Sequence, residues 1–140
     1  MAGEYAGDVS SRAAWDILAR DPHAVLVDVR TEPEWRYVGL PDLADLGKRT
    51  VCVSWQVYPD MRHNPRFAEE LEREGVSAER TVLLLCRSGQ RSRDAAITLT
   101  ARGYRRCYNV ADGFEGPPDE RRHRGARDGW KAVGLPWRQE

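Results

Sequence analysis

Short apolar runs alternate with amphipathic stretches along the first 110 residues of the chain. The runs are rich in Val and Leu and stay apolar almost to their ends, which is typical of strands buried on both faces of a parallel sheet. They predict strands over residues 24–30, 50–54, 81–86 and 106–110. The stretches between them place apolar residues at helical spacing. They predict helices over about 10–20, 32–38, 64–74 and 92–102, and a last helical turn at 130–133.

This alternation predicts an α/β domain with a mainly parallel central sheet. The length of 140 residues fits a single domain that spans residues 1–140. A polar, Gly- and Pro-rich segment at about 115–129 interrupts the pattern and predicts a mobile loop. In sheets of this kind, ligands bind beyond the carboxyl ends of the strands. Three predicted strand ends carry polar or reactive residues there: Asp28 and Arg30, Ser54, and Cys86.

The charge of the whole chain is balanced, but its distribution is not. The 22 Lys and Arg residues offset the 22 Asp and Glu residues, so net charge gives no case for a nucleic acid or membrane partner. Between positions 86 and 106, however, six arginines face one aspartate, a local charge of +5. This excess favours an anionic ligand near Cys86. Three of the six, Arg102, Arg105 and Arg106, also fit an ordinary solvated surface.

The cysteine pattern indicates a reducing environment. The three cysteines at positions 52, 86 and 107 are odd in number, widely spaced and without a CxxC motif, so neither a disulfide framework nor a zinc site is predicted. The first residues show no secretory signal, and no apolar run is long enough to span a membrane. We therefore predict a soluble, cytoplasmic protein that needs no metal or organic cofactor.

The segment Cys86-Arg87-Ser88-Gly89-Gln90-Arg91-Ser92 carries the most specific chemical signal. It joins a predicted buried strand to a predicted helix, so loop amides and the helix N-terminus can converge on the Cys86 sulfur and favour a thiolate. Most buried cysteines are inert packing residues. The polar residues and the glycine that crowd the next positions are not needed for packing, and they favour a nucleophile.

The chain resembles the single-domain rhodanese, or thiosulfate sulfurtransferase-like, family over about residues 8–138. The resemblance rests on four tracts: Leu26-Val27-Asp28-Val29-Arg30 with Glu34-Trp35, Cys86-x-x-Gly89-x-Arg91-Ser92, Gly103-Tyr104 to Gly113, and Gly129-Trp130 to Pro136. It implies a three-layer domain with a mainly parallel sheet of about five strands flanked by helices. It also implies that Cys86 carries a persulfide, and that Asp28 and Arg30 are supporting structure.

The activity implied is transfer of a sulfane sulfur from a small anionic donor such as thiosulfate to a thiol, protein or cyanide acceptor, by a monomer or weak dimer. Cys86 would be the catalytic residue in this transfer. The substrate-binding residues would be Arg87, Ser88, Gly89, Gln90, Arg91 and Ser92. Their amides and hydroxyls would hold the persulfide, and the two arginines would bind the donor. Ser92 could equally act only as the helix N-cap.

Two alternatives remain open at this stage. Phosphatases and arsenate reductases that share the fold place five residues between cysteine and arginine, whereas four separate Cys86 from Arg91 here. The shorter loop fits a single sulfur better than a tetrahedral oxyanion, and it holds no carboxylate to serve as a general acid. The second alternative is a non-catalytic sulfur-carrier, binding or regulatory module. Such modules usually lack the cysteine that is present here.

Overall fold

The computed structural model describes residues 4–116 and 129–139, and a parallel sheet forms its centre. The strands are β1 Gly7–Val9, β2 Val25–Asp28, β3 Leu40–Pro41, β4 Val51–Cys52, β5 Gln56–Val57, β6 Arg62–His63, β7 Thr81–Leu85, β8 Arg106–Val110 and β9 Trp137–Arg138. The α-helices are α1 Ser11–Arg20, α2 Phe67–Arg73 and α3 Gln90–Ala101. A π-helix covers Glu34–Val38 and a 3-10 helix covers Ala44–Leu46.

Five strands form the central sheet in the order β1-β8-β7-β2-β4, and every pairing is parallel. Helices cover both faces, so each face has its own apolar core. Val27 and Leu84 point to the face covered by α2 and α3, while Leu26 and Leu83 point to the face covered by α1. The predicted three-layer α/β architecture with about five strands is therefore confirmed.

The fifth strand, β1, was not among the strands that the apolar runs predicted. It has three residues and only one strongly apolar side chain, so its own sequence carries little strand signal. It forms because its backbone pairs with β8, from Gly7 opposite Tyr108 to Val9 opposite Val110. Two further two-stranded sheets, β3 with β9 and β5 with β6, were missed for the same reason.

Several predicted element boundaries were wrong. Helix α2 begins at Phe67 and not at Asn64, because the Asn64 side chain accepts the Arg66 N–H and forms a turn before the helix. Helix α3 begins at Gln90 rather than at position 92. Residues 130–133 form a single turn in which the Val133 N–H donates to the Gly129 carbonyl oxygen, the spacing of one helical turn, as predicted.

Most of the predicted loop at 115–129 lies outside the described residues, which leave out 117–128. Its mobility and the single-domain interpretation of residues 1–140 therefore stay predictions. The described residues on either side of this gap are anchored, because Gly116 N–H donates to Arg87 O and Gly129 N–H donates to the Asp112 carboxylate. Among the described residues, no helix is both long and apolar enough to cross a membrane.

Candidate active site

Cys86 follows directly after β7, at the carboxyl edge of the central sheet. Its side chain is buried, with 1% of the residue exposed. The Gly89 N–H donates to the Cys86 sulfur at 3.1 Å, and the Ser92 hydroxyl oxygen lies 3.2 Å from the same sulfur. Two of the predicted site residues thus contact the thiol directly.

The turn at Gly89 brings the backbone amide and the start of α3 toward the sulfur. Gly89 has a φ of +102°, and a Cβ atom there would lie 2.3 Å from the Ala111 carbonyl oxygen. Only glycine fits both the backbone angle and the close approach. Because α3 begins at the next residue, Gln90, its N-terminal partial positive charge lies beside Cys86. Ser88 is half-buried in the turn before Gly89.

Ser92 lies in the first turn of α3 and is not the N-cap, which is Gly89. Its hydroxyl oxygen is 2.6 Å from Asn109 Oδ1, at the end of β8. The Asn109 amide nitrogen in turn donates to Asp8 and to the Gly89 carbonyl oxygen. Sequence reasoning missed Asn109, although a polar residue near the end of a buried strand next to β7 is a signal that could have found it.

Arg91 and Arg87 are both paired with carboxylates that were not predicted as site residues. Arg91 donates to both carboxylate oxygens of Glu34, at 2.8 and 3.0 Å, and Thr31 Oγ donates to the same carboxylate at 3.0 Å. Burial raises the pKa of Glu34, but Arg91, the nearby Arg30 and the Thr31 hydroxyl together hold that pKa below its ordinary value. The Arg87 guanidinium lies 3.4 Å from the Glu115 carboxylate.

The local charge of +5 expected from the sequence does not collect at Cys86. Arg106 begins β8, at the amino edge of the sheet, where its guanidinium donates to the Glu79 carbonyl oxygen. Arg102 and Arg105 are exposed on the chain between α3 and β8. These three arginines form the solvated surface that the sequence also allowed, so only part of the local charge of +5 lies near Cys86.

Asp28 and Arg30 form a buried ion pair beside the site. The Arg30 guanidinium donates to both Asp28 oxygens and to the Gly39 carbonyl oxygen, and neither side chain is exposed. The guanidinium carbon also lies 4.3 Å from the centre of the Phe114 ring. These contacts are structural ones, as the sequence predicted for this pair.

The tract after β8 fixes the backbone of the active-site loop. Phe114 N–H donates to the Cys86 carbonyl oxygen at 2.8 Å, and Glu115 N–H donates to that of Arg87 at 3.1 Å. A Cβ atom on Gly113 would lie 2.3 Å from the Arg87 carbonyl oxygen, so this approach also needs glycine. Trp130 N–H donates to the Gly113 carbonyl oxygen and ties residues 129–139 to the same tract.

The other two cysteines lie away from this arrangement of donors. Cys107 is buried within β8, and burial raises the pKa of its thiol to about 12. Cys52 is half-buried at the end of β4. Within residues 4–116 and 129–139, no group of three or more His, Cys, Asp or Glu side chains could hold a metal ion.

A buried thiol between a parallel strand and a helix N-terminus, in a turn that points the Gly89 amide at the sulfur, is typical of a rhodanese-like domain. The family model described as the STR4 middle domain matches residues 6–140, and the chain belongs to this rhodanese-like family.

Comparisons with individual proteins agree. The crystal structure of Rv0390 from M. tuberculosis superposes with a TM-score of 0.89 at 52% identity, covering 98% of this chain and 100% of that one. An uncharacterized protein of Rickettsia conorii is 39% identical over 130 residues, 93% of this chain and 95% of its own. The thiosulfate sulfurtransferase GlpE of Actinobacillus pleuropneumoniae is 26% identical over 129 residues, 92% and 90% of the two chains.

Proposed function

We propose that this protein is a sulfurtransferase that carries a sulfane sulfur as a persulfide on Cys86. One observation carries the proposal: the buried Cys86 sulfur accepts the Gly89 N–H and lies within hydrogen-bonding distance of the Ser92 hydroxyl, at the N-terminus of α3. The similarity to a protein named thiosulfate sulfurtransferase adds support. Some members of the rhodanese-like superfamily are sulfurtransferases.

In the first half-reaction the Cys86 thiolate attacks the outer sulfur of the donor. A sulfur–sulfur bond to Cys86 forms, the bond inside the donor breaks, and the leaving group keeps the electron pair. The amide of Gly89 and the Ser92 hydroxyl stabilise the anionic sulfur, and we assign the amides from Arg87 to Ser92 the same role. Burial strengthens each of these electrostatic interactions because water is excluded.

In the second half-reaction a thiol or cyanide acceptor attacks the outer sulfur of the persulfide. The Cys86 thiolate leaves and the enzyme returns to its starting state. Sulfur passes between nucleophiles at one oxidation level, so neither half-reaction consumes an external oxidant or reductant. A free nucleophilic thiol of this kind suits a reducing compartment such as the cytoplasm.

The loop length supports sulfur transfer over phosphate chemistry. Four residues separate Cys86 from Arg91, and Arg91 is held in a two-point contact with Glu34 rather than free to bind phosphate oxygens. A phosphatase of this type needs an arginine that binds the oxyanion and a general acid for the leaving group. We therefore expect no useful turnover of aryl phosphates.

Mass spectrometry after incubation with a sulfane-sulfur donor tests the proposal. Thiosulfate in large excess, and separately a persulfide, should add the mass of one sulfur atom to Cys86, and cyanide should remove it with formation of thiocyanate. The Cys86→Ser variant should gain no sulfur, whereas the matched Cys107→Ser variant should behave like the unmodified protein. Failure of both donors to label Cys86, or robust Cys86-dependent hydrolysis of aryl phosphates, would overturn the proposal.

A further inference from the structure

Among the residues that the structure describes, the two arginines of the loop after Cys86, Arg87 and Arg91, each face a carboxylate. From this arrangement we infer that Glu34 and Glu115 determine donor specificity, and that they select a thiol-borne persulfide, R–S–SH, over a small dianion such as thiosulfate. The inference rests on the proposed sulfurtransferase function. It replaces the expectation from the sequence that Arg87 and Arg91 bind an anionic donor.

The pair between Arg91 and Glu34 is the stronger of the two. Its two parallel hydrogen bonds use the planar fork of the guanidinium, the geometry that would otherwise bind two oxygens of a sulfonate. Both side chains are mostly shielded, with 17% and 19% exposed, so water screens the pair little. Thr31 donates to the Glu34 carboxylate and fixes it in place.

The second pair, between Arg87 and Glu115, lies at the more open side of the loop. The Arg87 side chain is 48% exposed, while that of Glu115 is 18% exposed. The backbone holds this carboxylate beside the arginine, because the Glu115 N–H donates to the Arg87 carbonyl oxygen. The most accessible cation of the loop therefore has a negative charge at its side.

Two further cations, which lie over the Phe114 ring, are also engaged by the protein. Arg30 is paired with Asp28, and Lys131 donates to the Val38 carbonyl oxygen while its ammonium lies 3.9 Å from the centre of the Trp137 ring. The four cations Arg30, Arg87, Arg91 and Lys131 thus oppose the three carboxylates Asp28, Glu34 and Glu115. A dianion that approaches these described residues therefore meets guanidinium charges that carboxylates already offset.

A persulfide with an uncharged organic part does not depend on electrostatic attraction to the arginines. The Cys86 thiolate attacks the terminal sulfur of R–S–SH, the bond between the two donor sulfurs breaks, and the leaving thiolate takes up the donor proton. The products are the anionic persulfide Cys86–S–S⁻ and the neutral thiol R–SH. Atoms and charge balance, since one negative charge stands on each side. With thiosulfate, by contrast, the leaving group is sulfite, whose negative oxygens would face Glu34 and Glu115.

The test compares kcat/KM for two donors, thiosulfate and the persulfide of 2-mercaptoethanol, whose organic part is uncharged. The unmodified protein should prefer the persulfide. In Glu34→Gln and in Glu115→Gln the ratio of thiosulfate to persulfide kcat/KM should rise about tenfold, mainly through a lower KM for thiosulfate, because each substitution removes one charge that repels a dianion. Glutamine keeps the size and the hydrogen-bonding oxygen.

The control is Glu74→Gln, which neutralises a more exposed carboxylate that is paired with Arg49 at the other edge of the sheet. It changes the net charge of the protein equally and should leave the donor ratio unchanged. A salt titration gives a second readout that needs no single variant to be fully stable. Thiosulfate kcat/KM should depend weakly on ionic strength in the unmodified protein and should fall with salt in the double variant.

The results distinguish failure of the donor-specificity inference from failure of the proposed function. A preference of the unmodified protein for thiosulfate, or a donor ratio that stays the same in both folded variants, would show the inference to be wrong. If neither donor places sulfur on Cys86, the proposed function fails instead, so the two failures are distinguishable.

Discussion

The Ser92 hydroxyl oxygen lies 3.2 Å from the Cys86 sulfur, and it has a single proton to donate. Asn109 Oδ1 lies 2.6 Å away and competes for that proton. When Cys86 is a thiol, its S–H can donate to Ser92 while Ser92 donates to Asn109. When Cys86 is a thiolate or an anionic persulfide, the Ser92 proton turns to the sulfur. The hydroxyl therefore serves both states without moving its heavy atom.

Replacing Ser92 with alanine should lower kcat/KM for sulfur transfer roughly 10- to 100-fold, because a hydrogen bond to a charged group contributes about 1.5–3 kcal/mol. The effect should appear in kcat as well as in kcat/KM, since the anionic sulfur exists during the reaction. Thr100→Ala is the control, because this hydroxyl in the same helix donates to the Ala96 carbonyl oxygen and, within the described part of the chain, is not a hydrogen-bond partner of the Cys86 sulfur. Equal rates in the two variants would contradict the role given to Ser92.

The Cys86→Ser variant should be folded and inactive, whereas Cys107→Ser should keep most of the activity. Burial raises the pKa of the Cys107 thiol to about 12, so at neutral pH it is protonated and inert. Peptide mapping after iodoacetamide treatment of the native protein should find Cys107 unmodified, and should find it modified after treatment in urea. Labelling of native Cys107, or persulfide on it, would show that a second thiol takes part.

Gly89 and Gly103 offer a matched pair for testing the turn at the active site. Both have a φ of +102°, but a Cβ atom would collide with the Ala111 carbonyl oxygen only at Gly89, while nothing lies within 4 Å of one at Gly103. Gly103→Ala should cost about 1–3 kcal/mol of stability from backbone strain and leave sulfur transfer intact. Gly89→Ala should cost more in a urea titration and also abolish transfer, because the turn must open. Transfer at the normal rate in Gly89→Ala would refute the requirement for this turn.

The Arg91–Glu34 pair should make the stability of the protein sensitive to acid. Burial raises the pKa of Glu34, but Arg91, with help from Arg30 and Thr31, lowers it more, so the folded-state pKa lies below the unfolded-state value of about 4.3. The pair's contribution is therefore complete above that value and is lost as pH falls through the folded-state pKa. In urea titrations, the stability difference between the unmodified protein and Glu34→Gln should shrink below about pH 4.3. A stability difference between the two proteins that stays constant across this pH range would contradict the stabilising role of the pair.

The sequence was sufficient for the architecture because the central strands are nearly uniform apolar runs. β2 and β7 are buried along their whole length, and short Val- and Leu-rich runs of this kind are typical of strands buried in a parallel sheet. β1 was not predicted because this three-residue edge strand is defined by its pairing with β8 rather than by its side chains. The start of α3 was placed two residues late because Gly89 looks like loop and acts as the N-cap.

The position of the proposed nucleophile, Cys86, followed from local sequence, but its electrostatic surroundings did not. Glu34 reaches Arg91 across 57 residues and Asn109 reaches Ser92 across 17. Neither contact can be predicted from the residues of the segment 86–92 alone. Counting arginines along the chain gave an excess of positive charge, whereas the fold sends some of them to the opposite edge of the sheet and pairs the others.

The support of the active-site loop by residues far along the chain has a consequence for how the molecule matures. The amides that fix the Cys86 and Arg87 carbonyl oxygens come from residues 114–116, and that tract is held by the buried Trp130. As the chain leaves the ribosome, Cys86 emerges well before this brace does. The Cys86 thiol is therefore synthesised before the residues that brace its loop. We expect the loop to reach its final geometry only after residues 129–139 have docked.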